Sequence, residues 1–564
     1  MSKYIDQQIR NFSEVIFRWM LIIIYSIIIT STILGILTIY KKIYIFIFVP
    51  LLILFIHRIW TKKEGITPKS TFRDELCEKQ KYNSNIINSI SLISSLLLLL
   101  LIIIPIINWP MSYTEKKINW DFGLYHLPKA VELWQTGSAW DFSISYGEYP
   151  FGYESFLSFI LLFTNNISYF SIVHLTIVFL IIISVSMLSW RYLNFPSGTL
   201  LLATILVILS GFLPVYNPWY FIHYLPYTIG KNDLFLSAIT IAAIIFVPFS
   251  NRKKIDWIGL GLSSGLAMSI KPNSALILLF LWGYAFYKNK LESVNYSQIY
   301  QGVGLAILGC SWIIRNLIGI GRLFSVNSMK LSKFSIWSNI TNHKFYLNIP
   351  KSFQFSIIFS FIFGLLIIFN KTHLSCLDLY LLLVALFSFI ITPASSPPGN
   401  PSVVVWRFGL VFLFLQFIYF IAIFEPLGYQ AIQLITKSRW STFFISILIL
   451  FTSIIFFHAY DEVLIRKPSH AKKIENYYSI SNQNYQSVFD YIDHNIHNSI
   501  VWIEGAPHYY AYDDEFSNTV SRSEMAHFIV LVDKSPDEMW FDINKWPIVY
   551  QDSRGSIYKN PKKH

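Results

Sequence analysis

The chain has 564 residues, of which 54% are hydrophobic and 18% aromatic, while only 13% are charged. Soluble domains carry about 25% charged residues, so this balance excludes an ordinary soluble protein and points to a polytopic membrane protein. The net charge of +12 reads as loop lysines and arginines that set topology; with no basic stripe interleaved with aromatics, nucleic acid is not an expected partner.

Apolar runs predict about thirteen transmembrane helices. They fall near 15–39, 43–57, 87–108, 167–189, 197–213, 233–249, 256–270, 273–287, 299–318, 354–369, 376–392, 406–424 and 441–459. The first lacks a short apolar core followed by a small-residue cleavage site and reads as a retained helix. The segment 151–163 is apolar but too short to cross comfortably, and is expected to lie at the interface. With the N-terminus in the cytoplasm, the inner loops then hold Arg58, Lys62, Lys63, Lys69, Arg73, Arg191, Arg252, Lys253, Lys254, Lys288, Lys290, Lys437 and Arg439. This is the bias that sets orientation. It sends the loops 109–166, 214–232, 315–353 and 393–407, and everything after about residue 460, to the extracytoplasmic side.

The expected fold is therefore an α-helical polytopic membrane protein with a small C-terminal α/β extracytoplasmic domain. Residues 1–86 form an N-terminal hairpin and cytoplasmic loop, 87–460 the main transmembrane domain, and 461–564 the α/β domain. In the last, 485–496 and 535–541 read as helices, and 500–503 and 528–532 as short buried strands. Cys77, Cys310 and Cys376 form no CxxC pair, no metal-ligand spacing and no disulfide framework.

Candidate functional residues gather in the outer loops. Asn119-Trp-Asp121-Phe-Gly-Leu-Tyr125-His126-Leu-Pro128 follows a long apolar run, placing a carboxylate, an imidazole and aromatics where a helix surfaces into water. Pro128 suits the first turn of a helix, with Asp121, Tyr125 and His126 on the connection before it. Further along come Asp141, Glu148-Tyr149-Pro150 and Glu154. Tyr227-Thr-Ile-Gly230-Lys231-Asn232-Asp233 opens the next outer-facing span, where Asn232 or Asp233 would also serve as an N-cap. Lys271, Arg315, Arg322 and Arg407 are cations at outer helix ends. A charge near membrane depth normally faces a cavity, although Lys271 would also snorkel readily. The arginine fork can clamp a phosphate through two hydrogen bonds. Gly261 and Gly265 lie in a span with no preceding strand, so they suit close helix packing and not nucleotide binding.

The loop form D-x-x-x-Y-H-x-P after a membrane helix, an interfacial helix, and a later N-D opening a span resemble the GT-C superfamily of polyprenyl-phosphate-dependent glycosyltransferases. The protein mannosyltransferase and lipid A aminoarabinose transferase branches are nearest in kind, and the resemblance covers roughly residues 87–410. It implies a catalytic Asp121, a second important acid at Asp233, and basic residues holding a lipid phosphate. Phe122 stands where many members carry a second acid, Glu148-Tyr149-Pro150 replaces a Lys-Pro-Pro turn, and two helices precede the usual start. The expected activity is transfer of a sugar from a polyprenyl-phosphate-linked donor to an extracytoplasmic acceptor, with inversion and with Asp121 as base. Tyr125, His126, Glu148, Tyr149, Lys231, Lys271, Arg315, Arg322 and Arg407 are the candidate substrate contacts. No cofactor is required by this reading, and a divalent metal is left open. The rival class is a transporter or flippase, which would favour internal repeats and helices broken at mid-membrane depth. The expected location is a bacterial-type cytoplasmic membrane.

Overall fold

The computed structural model describes residues 2–61, 121–193, 231–248, 254–290, 296–323, 351–368, 374–390, 409–437, 486–513 and 516–563, with isolated residues between 93 and 107 and at 203–204. The chain is mostly helical with one small sheet near its C-terminus. Two helices open it, α1 (Ser2–Ile36) and α2 (Lys42–Thr61). A π-helical turn (Phe122–His126) leads into α3 (Leu127–Thr136), then come α4 (Gly152–Thr164) and α5 (Phe170–Ser189). After these follow α6 (Asp233–Phe246), α7 (Trp257–Ile270), α8 (Ala275–Lys290), α9 (Tyr296–Leu308) and α10 (Ser311–Ile320). The remaining helices are α11 (Lys351–Ile368), α12 (Cys376–Ile390), α13 (Leu410–Lys437) and α14 (Gln486–Asn495).

Among the described residues, three helical stretches are long and apolar enough to cross a membrane: Asn11–Ile36, Lys42–Thr61 and Ile167–Ser189. The pair α9 and α10 would add a fourth, but it is bent by 42°. This is fewer than the thirteen or so expected. The helices that replace several expected spans are short. α6 and α7 hold 14 residues each and α12 holds 15, a rise of about 21–23 Å at ~1.5 Å per residue, against a hydrocarbon core of about 30 Å. Apart from residues 203–204, the expected spans at 197–213 and 441–459 lie outside the described residues, as does most of 87–108.

The helical body has two distinguishable ends. At one, Trp140 Nε1 donates to Ile36 O at 2.6 Å, Asn232 Nδ2 to Ile270 O at 3.5 Å, and Trp312 Nε1 to Met268 O at 3.0 Å. This gathers the C-termini of α1 and α7, the start of α6, and α10. At the other, Asp256 accepts from Trp60 Nε1 at 2.9 Å and lies 3.9 Å from Arg18, while Lys288 and Arg191 donate to Pro248 O and Val247 O. Arg18, Arg191 and Lys288 therefore collect at the end remote from the acidic loop.

Small residues set the tightest helix crossing. A Cβ on Gly261 would fall on the Gly302 backbone, and one on Gly265 on Leu305 O, so α7 and α9 touch through their main chains, as expected of the Gly261/Gly265 pair. α1, expected to form a hairpin with α2, packs on α2 and also reaches into the helical body. Its Tyr25 hydroxyl donates to Leu305 O at 2.6 Å, and Thr32 Oγ1 lies 3.0 Å from Ser155 Oγ of α4. α4 is 13 residues long, too short to cross, as read from 151–163. It is packed among α1, α3, α5 and α7 and buried along most of its length, so protein and not solvent covers its polar face.

The C-terminal unit contains β1 (Ile500–Glu504), β2 (Thr519–Val520), β3 (Phe528–Val532), β4 (Ile548–Gln551) and β5 (Gly555–Lys559). Their order is β2-β1-β3-β5-β4. β2, β1 and β3 are parallel, with Val501 opposite Phe528, and β5 and β4 are antiparallel. Val501 and Ile503 face α14 and the main core, while Trp502 faces the other way. The helix expected at 535–541 is only a 3-10 turn, Pro536–Glu538, capped by Ser535. Beyond it Trp540 and Phe541 fold over Trp502, with ring centroids at 6.1 and 5.7 Å. Covering that bare sheet face outweighs continuing the helix.

Candidate active site

The acidic loop is shaped by a π turn. Asp121 already has helical dihedrals (φ −61°, ψ −39°), and Phe122–His126 form the wide turn that joins it to α3. Pro128 explains the widening. A proline ring inside a helix clashes with the carbonyl one turn back and supplies no N–H, and a π turn over those preceding residues relieves both problems. Asp121, Tyr125 and His126 were expected on a connection before the helix; they lie on helical backbone instead.

Two carboxylate–ammonium pairs form the centre. Asp121 Oδ2 lies 3.6 Å from Lys231 Nζ, with the aspartate side chain 24% exposed and the lysine 6%. Lys271 Nζ donates to Asp233 Oδ1 at 2.7 Å, and both side chains are largely buried. The turn Lys231-Asn232-Asp233 joins the pairs, and Asn232 ties it to the end of α7 through Ile270 O. Lys231, Asp233, Lys271 and Asp121, expected separately to be functional, are thus brought together by three segments of chain. Asp233 heads α6, but the cap residue Asn232 makes no side-chain capping bond, so the N-cap reading of this pair is not what the structure shows.

Beside them lies a buried triad. Glu154 Oε1 is 2.8 Å from His126 Nδ1 and 3.4 Å from Lys129 Nζ, with all three side chains at 2% exposure or less. His126 and Lys129 are three residues apart, so one helix face delivers both. Burial, opposed by Glu154, pushes the His126 imidazole and the Lys129 ammonium below their ordinary ranges. Burial would raise Glu154, but Lys129 and His126 outweigh it and hold the carboxyl below its usual range. Lys129 also donates to Tyr149 O and Pro150 O and sits 4.2 Å above the Phe151 ring.

Arg315 was expected to hold a phosphate. It is 1% exposed, and its donors go to protein: NH1 to Ala139 O at 3.0 Å, NH2 to Gly147 O at 2.7 Å, and Nε and NH2 to Asn316 Oδ1. Its guanidinium lies between Phe142 and Phe151 at 4.8 and 4.7 Å. Asn316 Nδ2 adds bonds to Glu148 O and Leu323 O, both 2.6 Å. The geometry is that of a clamp on the loop 139–151. Arg322 is exposed in the turn after α10, and Arg407 lies outside the described residues.

The other expected contacts line this loop. Tyr125 packs on His126 and Tyr146 at 4.1 and 4.8 Å, and Tyr149 packs on Tyr146 at 5.3 Å. The Glu148 side chain is buried and burial raises its proton affinity. Glu148 Oε1, Glu154 Oε2 and Asn232 Oδ1 are buried acceptors without a hydrogen-bond partner among the described residues. Sequence reasoning passed over Lys129, and it took Asn232 only as a cap and gave Asn316 no role of its own. The one available signal for Lys129 was its place three residues after His126 in an otherwise apolar turn. Among the described residues, no three His, Cys, Asp or Glu side chains gather to hold a metal ion.

No protein-family model matches the chain, and no curated protein matches its sequence. The chemistry of the site is the guide to its function.

Proposed function

We propose that the chain is a polytopic membrane glycosyltransferase that moves a sugar from a polyprenyl-phosphate-linked donor to an acceptor hydroxyl outside the cytoplasm. The observation that carries this reading is the joined pair of ion pairs, Asp121 with Lys231 and Asp233 with Lys271, at the end of the body away from Arg18, Arg191 and Lys288. Outside the cytoplasm nucleotide sugars are not at hand, so the activated sugar arrives on a lipid. Its phosphate takes Lys231 and Lys271 as counter-ions, a role that Arg315 cannot fill while it clamps the loop. The phosphate draws Lys231 from Asp121, whose carboxylate then accepts a proton. The acceptor hydroxyl attacks the anomeric carbon and gives its proton to Asp121. The bond from that carbon to the phosphate oxygen breaks with its electrons on the phosphate, and the anomeric centre inverts. Tyr125 and Tyr149 offer ring faces to the sugar, and the unpartnered acceptors of Glu148 and Asn232 suit its hydroxyls.

The direct test is purified protein in lipid given a polyprenyl-phosphate sugar and candidate acceptors, with release of polyprenyl phosphate as the readout. A second reading, movement of a lipid-linked or polar solute without chemistry, is favoured by the break between α9 and α10. Transport with no release of polyprenyl phosphate would select it.

The reading fixes an orientation, which reporter fusions check. A reporter after Lys254 is expected to read cytoplasmic and one near Asn482 extracytoplasmic, following the basic inner loops. Reporters on the same side would separate the C-terminal domain from the Asp121 loop and remove the proposed arrangement.

A further inference from the structure

The π turn and α3 carry His126 and Lys129 toward Glu154, and α3 offers Glu132 and Gln135 to the C-terminal domain. Glu132 Oε1 accepts from the Val520 N–H at 2.8 Å, and the Tyr512 hydroxyl lies 3.4 Å from both Glu132 Oε1 and Pro128 O. Gln135 Nε2 donates to Phe516 O and, at 3.0 Å, to Asn518 O. Ser143 and Ser521 hydroxyls meet at 3.2 Å. The loop that supplies these partners is itself stiff. Asn518 Nδ2 donates to Ile496 O and Ala511 O, and Asp513 accepts from Ser517 N and His497. The described residues of this loop therefore grip α3, which continues the π turn that follows Asp121.

We propose that Glu132 is a positioning residue that latches the C-terminal domain onto α3, so that this domain fixes the placement of Asp121 and releases it when Glu132 ionises. The activity half of this proposal rests on the glycosyltransferase reading; the latch itself does not. Glu132 is 4% exposed. Among the described residues, the groups that face it are the Tyr512 phenol, the Val520 N–H and the Asp141 carboxylate, and none of these is a cation. On α4, Glu154 is engaged with His126 and Lys129, and on the 3-10 turn at His508–Ala511, His508 is buried and held far below its usual range, chiefly by burial and further by Arg522. Burial first, and then Asp141, push the Glu132 carboxyl up to about 8. Released into water, the same acid would titrate near its ordinary value of 4.5. Docking therefore holds a proton between these two values, is tightest below the lower one, and weakens as pH rises through the upper one. Such a difference corresponds to roughly a 10³-fold fall in the docking constant.

The test uses the full chain in lipid nanodiscs, with hydrogen exchange over 127–136 and 510–520 corrected for its intrinsic pH dependence. In the wild type, protection of both segments is expected to fall together, by about 10²-fold between pH 6 and pH 9. Glu132→Gln keeps an acceptor for Val520 N–H and cannot ionise, so it is expected to stay protected at both pH values. Glu132→Ala is expected to lose protection at both. In the transfer assay, the alkaline loss of kcat should flatten in Glu132→Gln with KM unchanged. Wild-type protection in Glu132→Ala, or the same pH profile in Glu132→Gln as in wild type, would overturn the latch. Exchange that follows the expected pattern in variants that never release polyprenyl phosphate would sustain the latch and reject the glycosyltransferase reading.

Discussion

Asp121→Asn is expected to abolish nearly all sugar transfer while leaving the protein folded. A positioned base contributes about 10²–10⁴-fold, and asparagine preserves the size of the side chain but takes no proton. The folding cost is expected to be smaller than for Asp233, because the contact with Lys231 is long, at 3.6 Å, and the aspartate side chain is 24% exposed, so water reaches the site. Release of polyprenyl phosphate and thermal unfolding, measured on one preparation, separate the two effects. Turnover close to wild type would take Asp121 out of the mechanism. Asp233→Asn differs in kind. It leaves Lys271 largely buried without its carboxylate, and breaking a buried pair costs about 3–5 kcal/mol, so lost activity there should come with a lower melting temperature.

Arg315→Ala is expected to act through structure. Removing the guanidinium strands Ala139 O and Gly147 O, and each buried polar group left unpaired costs about 1–3 kcal/mol. The stacking on Phe142 and Phe151 goes with it. The loop 139–151 should then come away from α10, lowering unfolding stability by about 3–5 kcal/mol. Arg315→Lys should rescue little, since an ammonium lacks the planar fork that reaches both carbonyls and Asn316. Unfolding at the wild-type temperature, combined with weakened binding of polyprenyl phosphate, would make Arg315 a phosphate ligand instead.

The contrast between Arg315 and Lys231 shows what could be read from the sequence. Both stand out as cations at helix ends, and that much is visible in one dimension. Whether such a cation meets a ligand or its own chain depends on acceptors more than a hundred residues away. For Arg315 these are main-chain carbonyls, which every residue possesses and no motif advertises. The residues of the two central pairs were legible for the same reason that their pairing was not: charge at a membrane-depth helix end is conspicuous, but its partner lies on another segment. The π turn was hidden because the apolar spacing after Pro128 reads as an ordinary helix. Strands β1 and β3 were legible as buried apolar runs. β4 and β5 pair at the sheet's outer side, with mixed exposure, and give no clean alternation. Among the described residues fewer helices are long enough to cross than the apolar runs suggest, because a short apolar run looks alike whether lipid or protein surrounds it.

The packing of α1 into the helical body has a consequence for how the molecule is made. This helix is made before the helices it packs against, and it carries Ser26, Ser31 and Thr32, all buried in the finished protein. Its partners Ser155 and Leu305 are synthesised 123 and 280 residues later. α1 must therefore wait in the bilayer or the insertion machinery until Leu305 has followed it, and then be enclosed. Assembly closes around a segment made earlier than its partners, so a deletion within α1 should disturb biogenesis of the whole helical body before it disturbs any one reaction.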